Sequence, residues 1–306
     1  MTTSTATTSA AGIRAAHPRH VQTPTPVPQE AVDRIVAAAL AEDAPWGDIT
    51  SELLVPADAR TTAVLTAREP GVFCGTQVIE AAFRLTCPET AVQFRIRDGA
   101  EFGAGAVLSE ITGPARAVLT AERVALNLAQ RLSGIATLTA AFVAQTAGTS
   151  ARITDTRKTT PGLRILERHA VRCGGGHNHR FSLSDAVMAK DNHLALLAAG
   201  GRDLAQALAA AKVRLPHTVH FEVEVDRLDQ IEAVLAGGAD TVLLDNFSPA
   251  DLRRGVELIG GRALAEASGN VRLETVAEIA ATGVDLISAG ALTHSVRALD
   301  LGLDLA

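Results

Sequence analysis

Beyond residue 150 the apolar positions come in short runs, each of which ends in polar residues. The runs are Ile153-Thr154-Asp155-Thr156-Arg157-Lys158, Val187-Met188-Ala189-Lys190-Asp191, Phe221-Glu222-Val223-Glu224, Val242-Leu243-Leu244-Asp245-Asn246, Leu264-Ala265-Glu266-Ala267-Ser268 and Leu286-Ile287-Ser288-Ala289-Gly290. The later units recur every 21–23 residues, counted between Glu224, Asp245, Ser268 and Gly290. Helix signals lie between them. Ser248-Pro249-Ala250-Asp251 offers a cap, a proline at the first helical position and an acidic third residue. The helix opened by Asp226 stops at Gly237-Gly238. Repeated strand–helix units with functional side chains at the strand ends predict a (β/α) barrel, because that fold builds its site on this face. A doubly wound open sheet has the same local pattern but concentrates its site at a switch point. The barrel is favoured.

The first half of the chain has a different rhythm. From Pro28, Val32, Ile35, Val36, Ala39 and Leu40 follow the spacing of one buried helical face. Between about 61 and 113, Val92, Phe94 and Ile96 alternate with Gln93, Arg95 and Arg97, the period of a half-buried strand. The runs 63–67 and 106–111 add further short strands, so this part reads as a small α+β domain. A long helical stretch follows from about 116 to 147, carrying Glu122, Arg123 and Asn127, and Ser133-Gly134 predicts an interruption in it. Residues 1–26 hold Thr, Ser, Ala and Pro with almost nothing to bury, and are expected to be a disordered extension.

Composition narrows the function classes. With 8 Phe, 1 Trp and no Tyr, the core must be built from Ala, Val, Leu and Ile, and stacking platforms for single-stranded nucleic acid are lacking. The net charge of −6 provides no global field for nucleic acid or an anionic membrane. Three cysteines cannot pair completely, no apolar run approaches the ~20 residues of a membrane span, and no signal-peptide pattern opens the chain. A reducing cytoplasm is the expected location.

Lysine usage points to chemistry. Of 28 basic residues only Lys158, Lys190 and Lys212 are lysines, and the first two stand at strand ends. The stretch 157–190 also holds Arg157, Arg164, Arg168, Arg172, His177, His179 and Arg180. So much positive charge beside a barrel mouth suits a polyanion bearing phosphates or carboxylates. Arg168 and Arg172, on a predicted helix, are read instead as its wet face. Cys173, His177 and His179 invite a zinc reading, which the lack of a second Cys/His pair at structural spacing disfavours. There is no P-loop, and Gly103-Ala104-Gly105 lacks the context of a dinucleotide fingerprint. Glu224 and Asp245, expected on neighbouring strands, have the chemistry to bind ribose hydroxyls or hold Mg²⁺ beside a phosphate, or to serve as structural partners of the basic cluster. The glycines of Ser268-Gly269-Asn270 and Ala289-Gly290-Ala291 would let backbone N–H groups approach a phosphate.

At these residues the sequence resembles the quinolinate phosphoribosyltransferase family from about residue 32 to its end. The matching motifs include Glu42-Asp43, Gly47-Asp48-Ile49-Thr50, Glu122-Arg123, Leu126-Asn127 and Ser133-Gly134-Ile135-Ala136-Thr137. The most specific is Asp155-Thr156-Arg157-Lys158-Thr159-Thr160-Pro161-Gly162-Leu163-Arg164. Gly174-Gly175-Gly176, Asn178-His179-Arg180, Lys190-Asp191-Asn192-His193, Glu222-Val223-Glu224, Leu244-Asp245-Asn246 and Gly290-Ala291-Leu292-Thr293-His294-Ser295 continue the match. The resemblance implies an N-terminal α/β sandwich domain at 27–130, with 293–306 returning to it, and an incomplete α/β barrel at 131–292. It implies a homodimer with shared active sites, quinolinate and phosphoribosyl pyrophosphate as substrates, and Mg²⁺ as cofactor. The residues matching the family's carboxylate pocket are Arg123, reaching in from the partner subunit, with Arg157, His179, Arg180 and Lys190. Those matching its phosphoribosyl and metal site are Lys158, Glu224, Asp245, Ser268, Gly269, Asn270, Ala289, Gly290 and Ala291, and Thr156 is grouped with the substrate-binding residues. Lys158, Glu224 and Asp245 are expected to serve catalysis, the two carboxylates also as metal residues, directly or through substrate or water. Departures are mild: Arg168-His169 stands where the family commonly has Lys-Tyr, and Ala289 where Val is common. The alternatives are a paralogue of the kind found beside molybdate transport genes, acting on another heterocycle, and a catalytically silent binding protein. The intact cationic set weighs against the first and the presence of Lys158, Glu224 and Asp245 against the second.

Overall fold

The computed structural model describes residues 24–199, 201 and 203–306, so the extension expected at the N-terminus lies outside it up to residue 23. Where the description begins, Pro24 is buried, and Val27 exchanges two backbone hydrogen bonds with the Gln77 side-chain amide.

The first layer comprises α1 (Gln29–Asp43), α2 (Ile49–Leu54), β1 (Arg60–Ala67), β2 (Gly71–Val72), α3 (Thr76–Thr86), β3 (Ala91–Phe94), β4 (Glu101–Phe102) and β5 (Val107–Pro114). On α1 the predicted apolar face turns inward, with Val32 and Val36 fully buried. On β1, Ala63, Leu65 and Ala67 are buried in alternation, which gives the antiparallel sheet one dry face. The strand order is β12-β1-β5-β3, where β12 (Leu301–Leu305) is the last element of the chain and sets Leu303 opposite Leu65. The dry face meets α3 and the long helix α4 (Ala115–Gln145) around Leu65, Ile79, Phe83, Ile111, Leu126 and Leu303.

The second layer continues with β6 (Arg152–Thr154), α5 (Arg164–Cys173), β7 (Val187–Ala189), α6 (Asp191–Ala199), α7 (Leu204–Val213), β8 (Phe221–Val225) and α8 (Ile231–Ala236). It ends with β9 (Thr241–Asp245), α9 (Pro249–Ile259), β10 (Leu264–Ser268), α10 (Val276–Ala280), β11 (Leu286–Ser288) and α11 (Ala291–His294). The six strands are parallel in the order β6-β11-β10-β9-β8-β7. β6 and β7 are both edges, so the barrel is open between them. His177 extends the β6 edge by one bridge: its N–H donates to the Ile153 carbonyl, and its own carbonyl accepts from Asp155 N–H. Ser248 accepts from Asp251 N–H at the start of α9 and Gly237 ends α8, but Asp226 does not open that helix, which starts at Ile231 after a 3-10 turn at Leu228–Gln230.

One expectation fails. Ser133 and Gly134 do not interrupt the helix, because α4 runs unbroken for 31 residues through them. Ser133 instead reaches out of the helix, its hydroxyl accepting from Cys74 N–H and donating to the Cys74 carbonyl. Gly134 is small because the chain crosses there on its way to β12, and a Cβ would overlap the Arg297 carbonyl oxygen. Replacing a mid-helix glycine by alanine ordinarily stabilises by about 0.5–1 kcal/mol, but forced overpacking costs about 1–3 kcal/mol. Gly134→Ala is therefore expected to lower stability, and an unchanged or raised urea midpoint in equilibrium unfolding would refute this account of the crossing.

Candidate active site

Register places the predicted residues at one level. Thr154 lies opposite Ser288, Ser268 opposite Asp245, and Ala189 opposite Val223, so the residues that follow these strands gather at the C-terminal mouth of the barrel. Alternation along β8 and β10 turns Glu222 with Glu224, and Glu266 with Ser268, to the barrel interior, while Val223 and Ala267 pack the opposite face.

The side of the mouth next to the barrel opening is organised by Asp155. This fully buried carboxylate accepts from Asn178 Nδ2 at 2.6 Å and from His179 N–H at 2.7 Å, with Arg168 Nη1 3.6 Å away. Burial raises its pKa, partly offset by the Arg168 charge and these donors. The imidazole of His179 is thereby aimed into the barrel. Its Nδ1 accepts from Arg180 N–H, and its Nε2 lies 3.1 Å from Glu222 and 3.6 Å from Glu266. Burial would depress the imidazole pKa, but the neighbouring carboxylates outweigh it and the pKa is raised. Glu266, wholly enclosed and beside the Glu222 charge, is pushed up to about 8. Above this floor stand two guanidinium groups. Arg180 donates from Nη1 to the Ala186 carbonyl beside β7, so a side chain spans the gap that no strand closes. Burial lowers its pKa, and the nearby charge of Arg157 lowers it further. The Nε–H groups of both Arg157 and Arg180 are buried without a hydrogen-bond acceptor.

The other side of the mouth carries carboxylates and tight loops. Lys190 Nζ lies 2.6 Å from Glu224 Oε2. Asp245 accepts from Asn246 Nδ2, and Asn246 Oδ1 in turn accepts from Asn270 Nδ2. These contacts knit the loops after β9 and β10. Gly269, at φ +88°, is required there because a Cβ would overlap the Asn246 amide oxygen. Thr156 Oγ1 accepts from Lys158 N–H, and the Lys158 stem passes over Gly290 alongside His294. Ala289 N–H donates to the Thr154 carbonyl, and Ala291 opens α11.

The predicted residues from Thr156 to Ala291 thus surround one mouth. Arg123 is not among them: it is exposed on α4, and its side chain makes no hydrogen bond or ion pair to any described residue. Arg168 is no wet-face residue. Its side chain is 12% exposed, pairs with Asp155, donates to the Arg180 carbonyl and lies over the Phe181 ring. Cys173, His177 and His179 do not converge, since His177 runs along β6 and His179 enters the barrel. Sequence reasoning missed Asp155, Asn178, Glu222, Asn246 and Glu266 as site residues. For the two glutamates the signal was there: each interrupts an apolar strand two residues before a position already singled out.

Residues 135–304 match the C-terminal domain of quinolinate phosphoribosyl transferase, and residues 48–133 match its N-terminal domain. The chain belongs to the quinolinate phosphoribosyltransferase family. A nicotinate-nucleotide pyrophosphorylase (carboxylating) of Mycobacterium leprae is 45% identical over 278 residues, spanning 88% of this chain and 95% of the relative. A probable nicotinate-nucleotide pyrophosphorylase (carboxylating) of Bacillus subtilis is 42% identical over 264 residues, 86% of this chain and 90% of the relative. The solved nicotinate-nucleotide pyrophosphorylase of Francisella tularensis superimposes with a TM-score of 0.86 at 38% identity, over 93% of this chain and 99% of that one.

The floor of the site sets a pH dependence. Glu266 ionises near its ordinary value in the unfolded chain but only near about 8 when folded. The folded protein then holds a proton that the unfolded chain has lost, so this group's contribution to stability is full below the ordinary glutamate range and declines as pH rises towards 8. Glu266→Gln is expected to flatten that decline. If urea titrations between those limits give the same slope of stability against pH in both proteins, the assignment to Glu266 is wrong.

Proposed function

We propose that the protein transfers the phosphoribosyl group of phosphoribosyl pyrophosphate to the ring nitrogen of quinolinate and releases CO₂, giving nicotinate mononucleotide and pyrophosphate. The observation that carries this reading is that Arg157 and Arg180, whose charges oppose one another at the mouth, each have a buried Nε–H that lacks an acceptor. Two guanidinium charges at one wall repel one another, and a ligand with two adjacent carboxylates relieves the repulsion while accepting from both. His179 adds positive charge at the same wall, and Lys190 adds it at the boundary with the opposite wall, beside Glu224.

The phosphoribosyl group is assigned to the opposite wall. As pyrophosphate leaves C1 of the ribose, positive charge develops there, and the carboxylates of Glu224 and Asp245 stabilise it. Lys158, with its stem over Gly290, is placed to neutralise the leaving group, and the backbone amides of the loops after β10 and β11 serve the phosphates. Glu224 and Asp245 offer the hard carboxylate oxygens that Mg²⁺ accepts, directly or through water. When bound, Mg²⁺ supplies charge neutralisation to the pyrophosphate oxygens. Ribosylation makes the ring nitrogen positive, so the electron pair left on the ring carbon when the adjacent carboxylate departs as CO₂ is stabilised by the neighbouring positive charge. A solvent proton then takes the vacated position. The decisive assay follows quinolinate loss in the presence of phosphoribosyl pyrophosphate and Mg²⁺.

We infer a homodimer with shared sites. Trp46, Ile49, Leu53 and Leu54 stand exposed on and before α2, which is tied to α4 through Arg116 and Thr120. An apolar patch of this kind suits an interface, and α4 also presents the exposed Arg123. We place the enzyme in a reducing compartment, the cytoplasm, a reading supported by three free cysteines. Among the described residues no helix is long and apolar enough to cross a membrane.

Two predictions follow from this assignment of walls. Removing the Arg157 charge-assisted hydrogen bond in Arg157→Gln should cost about 1.5–3 kcal/mol, or about 10- to 150-fold in quinolinate affinity. Calorimetric titration of the folded variant with unchanged quinolinate affinity would contradict it. Arg123→Ala and Lys158→Ala homodimers should each be nearly inactive. In a statistical co-refolded mixture half the dimers are mixed and each has one intact site, so about a quarter of wild-type activity should return by two-fold geometry. A mixture shown by mass spectrometry to contain mixed dimers, yet as inactive as its parents, would exclude Arg123 acting across the interface.

A further inference from the structure

Away from the barrel mouth, four donor side chains converge where the first layer meets α5. Cys74 lies in the turn between β2 and α3, Asp98 in the turn before β4, and His169 and Cys173 one helical turn apart on α5. Their donor atoms all lie within 4.8 Å of one another. Both cysteines are buried, and the side chains of His169 and Asp98 are only 10% and 14% exposed. None of the four takes part in the chemistry proposed above.

Each donor is held by a different support. The Cys74 backbone is pinned in both directions by the Ser133 hydroxyl. Asp98 accepts from Gly75 and Thr76 N–H through Oδ1, which turns Oδ2 towards His169 Nε2 at 3.2 Å. The i, i+4 spacing of His169 and Cys173 puts both on one face of α5.

We propose that Cys74, Asp98, His169 and Cys173 form a structural binding site for a tetrahedral thiophilic divalent cation, zinc. Zinc bonds of about 2.3 Å to sulfur and about 2.0–2.2 Å to nitrogen and oxygen define a tetrahedron with edges of about 3.3–3.8 Å. The Nε2–Oδ2 separation of 3.2 Å already matches its nitrogen–oxygen edge. The other edges, bounded by 4.8 Å, need to close by no more than about 1.3 Å. Two thiolates and an imidazole are too soft a set for Mg²⁺ or Ca²⁺. On binding, the two thiol protons and the imidazole proton facing Asp98 pass to solvent. The four protein ligands complete the coordination, so the ion has a bracing role: it ties the first layer to α5, the helix that carries Glu167 and Arg168 beneath the mouth.

The test uses the untagged full chain, produced in medium supplemented with zinc or cobalt and purified without chelator. Elemental analysis should find one equivalent of metal per chain. The cobalt form should show a thiolate-to-cobalt charge-transfer band with the visible bands of a tetrahedral ion. Cys173→Ser and His169→Gln should lose the metal, whereas Cys87→Ser, outside the cluster, should keep it. The wild-type cobalt spectrum needs no variant to fold. Substoichiometric metal, a cobalt spectrum without the thiolate band, full metal retention in Cys173→Ser, or a Cys74–Cys173 disulfide in peptide mapping would each overturn the proposal. None of these readouts depends on quinolinate turnover, so failure here and failure of the proposed reaction are distinguishable.

Discussion

The site depends on one buried carboxylate. Asp155 follows directly on the first barrel strand, and without a partner its charge could not be carried into the interior at tolerable cost. Its partners are the segment that the site needs in place: Asn178 Nδ2, His179 N–H and the Arg168 guanidinium. The barrel has no strand between β6 and β7, so beyond the single bridge at His177 nothing in the sheet would otherwise position residues 178–180. Asp155 takes over that task. It turns His179 towards Glu222 and Glu266, and places Arg180 where its guanidinium reaches Ala186 across the gap.

A second buried carboxylate does the same one layer out. Glu167 on α5 accepts from Arg131 of α4 and from Thr160 N–H, while Arg131 also donates to Thr160 Oγ1 and the Thr293 carbonyl. One guanidinium thereby joins the long helix, the loop after β6 and α11, and Thr293 closes the circuit by donating to the Lys158 carbonyl. Lys158 and Arg157 owe their positions to this network as much as to their own strand. Truncating one member of such a network costs more than its net worth, because the others are left charged and enclosed.

The mouth separates its charges by side. Cations crowd the wall next to the opening and carboxylates line the wall of β8 and β9, with the Lys190–Glu224 pair at the boundary. That pair is half open to solvent on its lysine side, so the ion pair itself adds little stability, and a ligand able to replace either partner displaces the other at low cost. Burial and the neighbouring Glu222 charge keep the proton on Glu266, so this floor carboxyl does not neutralise the cationic wall from below.

The strand–helix rhythm, the strand ends and the caps were legible in the sequence because each is set by neighbours within a few residues: alternation, periodicity and side chains that bond their own turn. The positions of Lys158, Lys190, Glu224 and Asp245 at the mouth followed directly, since a side chain at the end of a parallel strand has only one place to go. Tertiary structure decided what depends on remote partners. Ser133-Gly134 has the composition of a break, yet stays helical because Cys74 and the crossing at Arg297 use the small side chains. Arg168 has the spacing of a wet helix face and lies instead over a buried carboxylate thirteen residues upstream. Cys173 gathers with Cys74, Asp98 and His169 rather than with His177 and His179, because two of those partners come from the other layer. Such contacts are settled by which surfaces pack, and no local pattern encodes that.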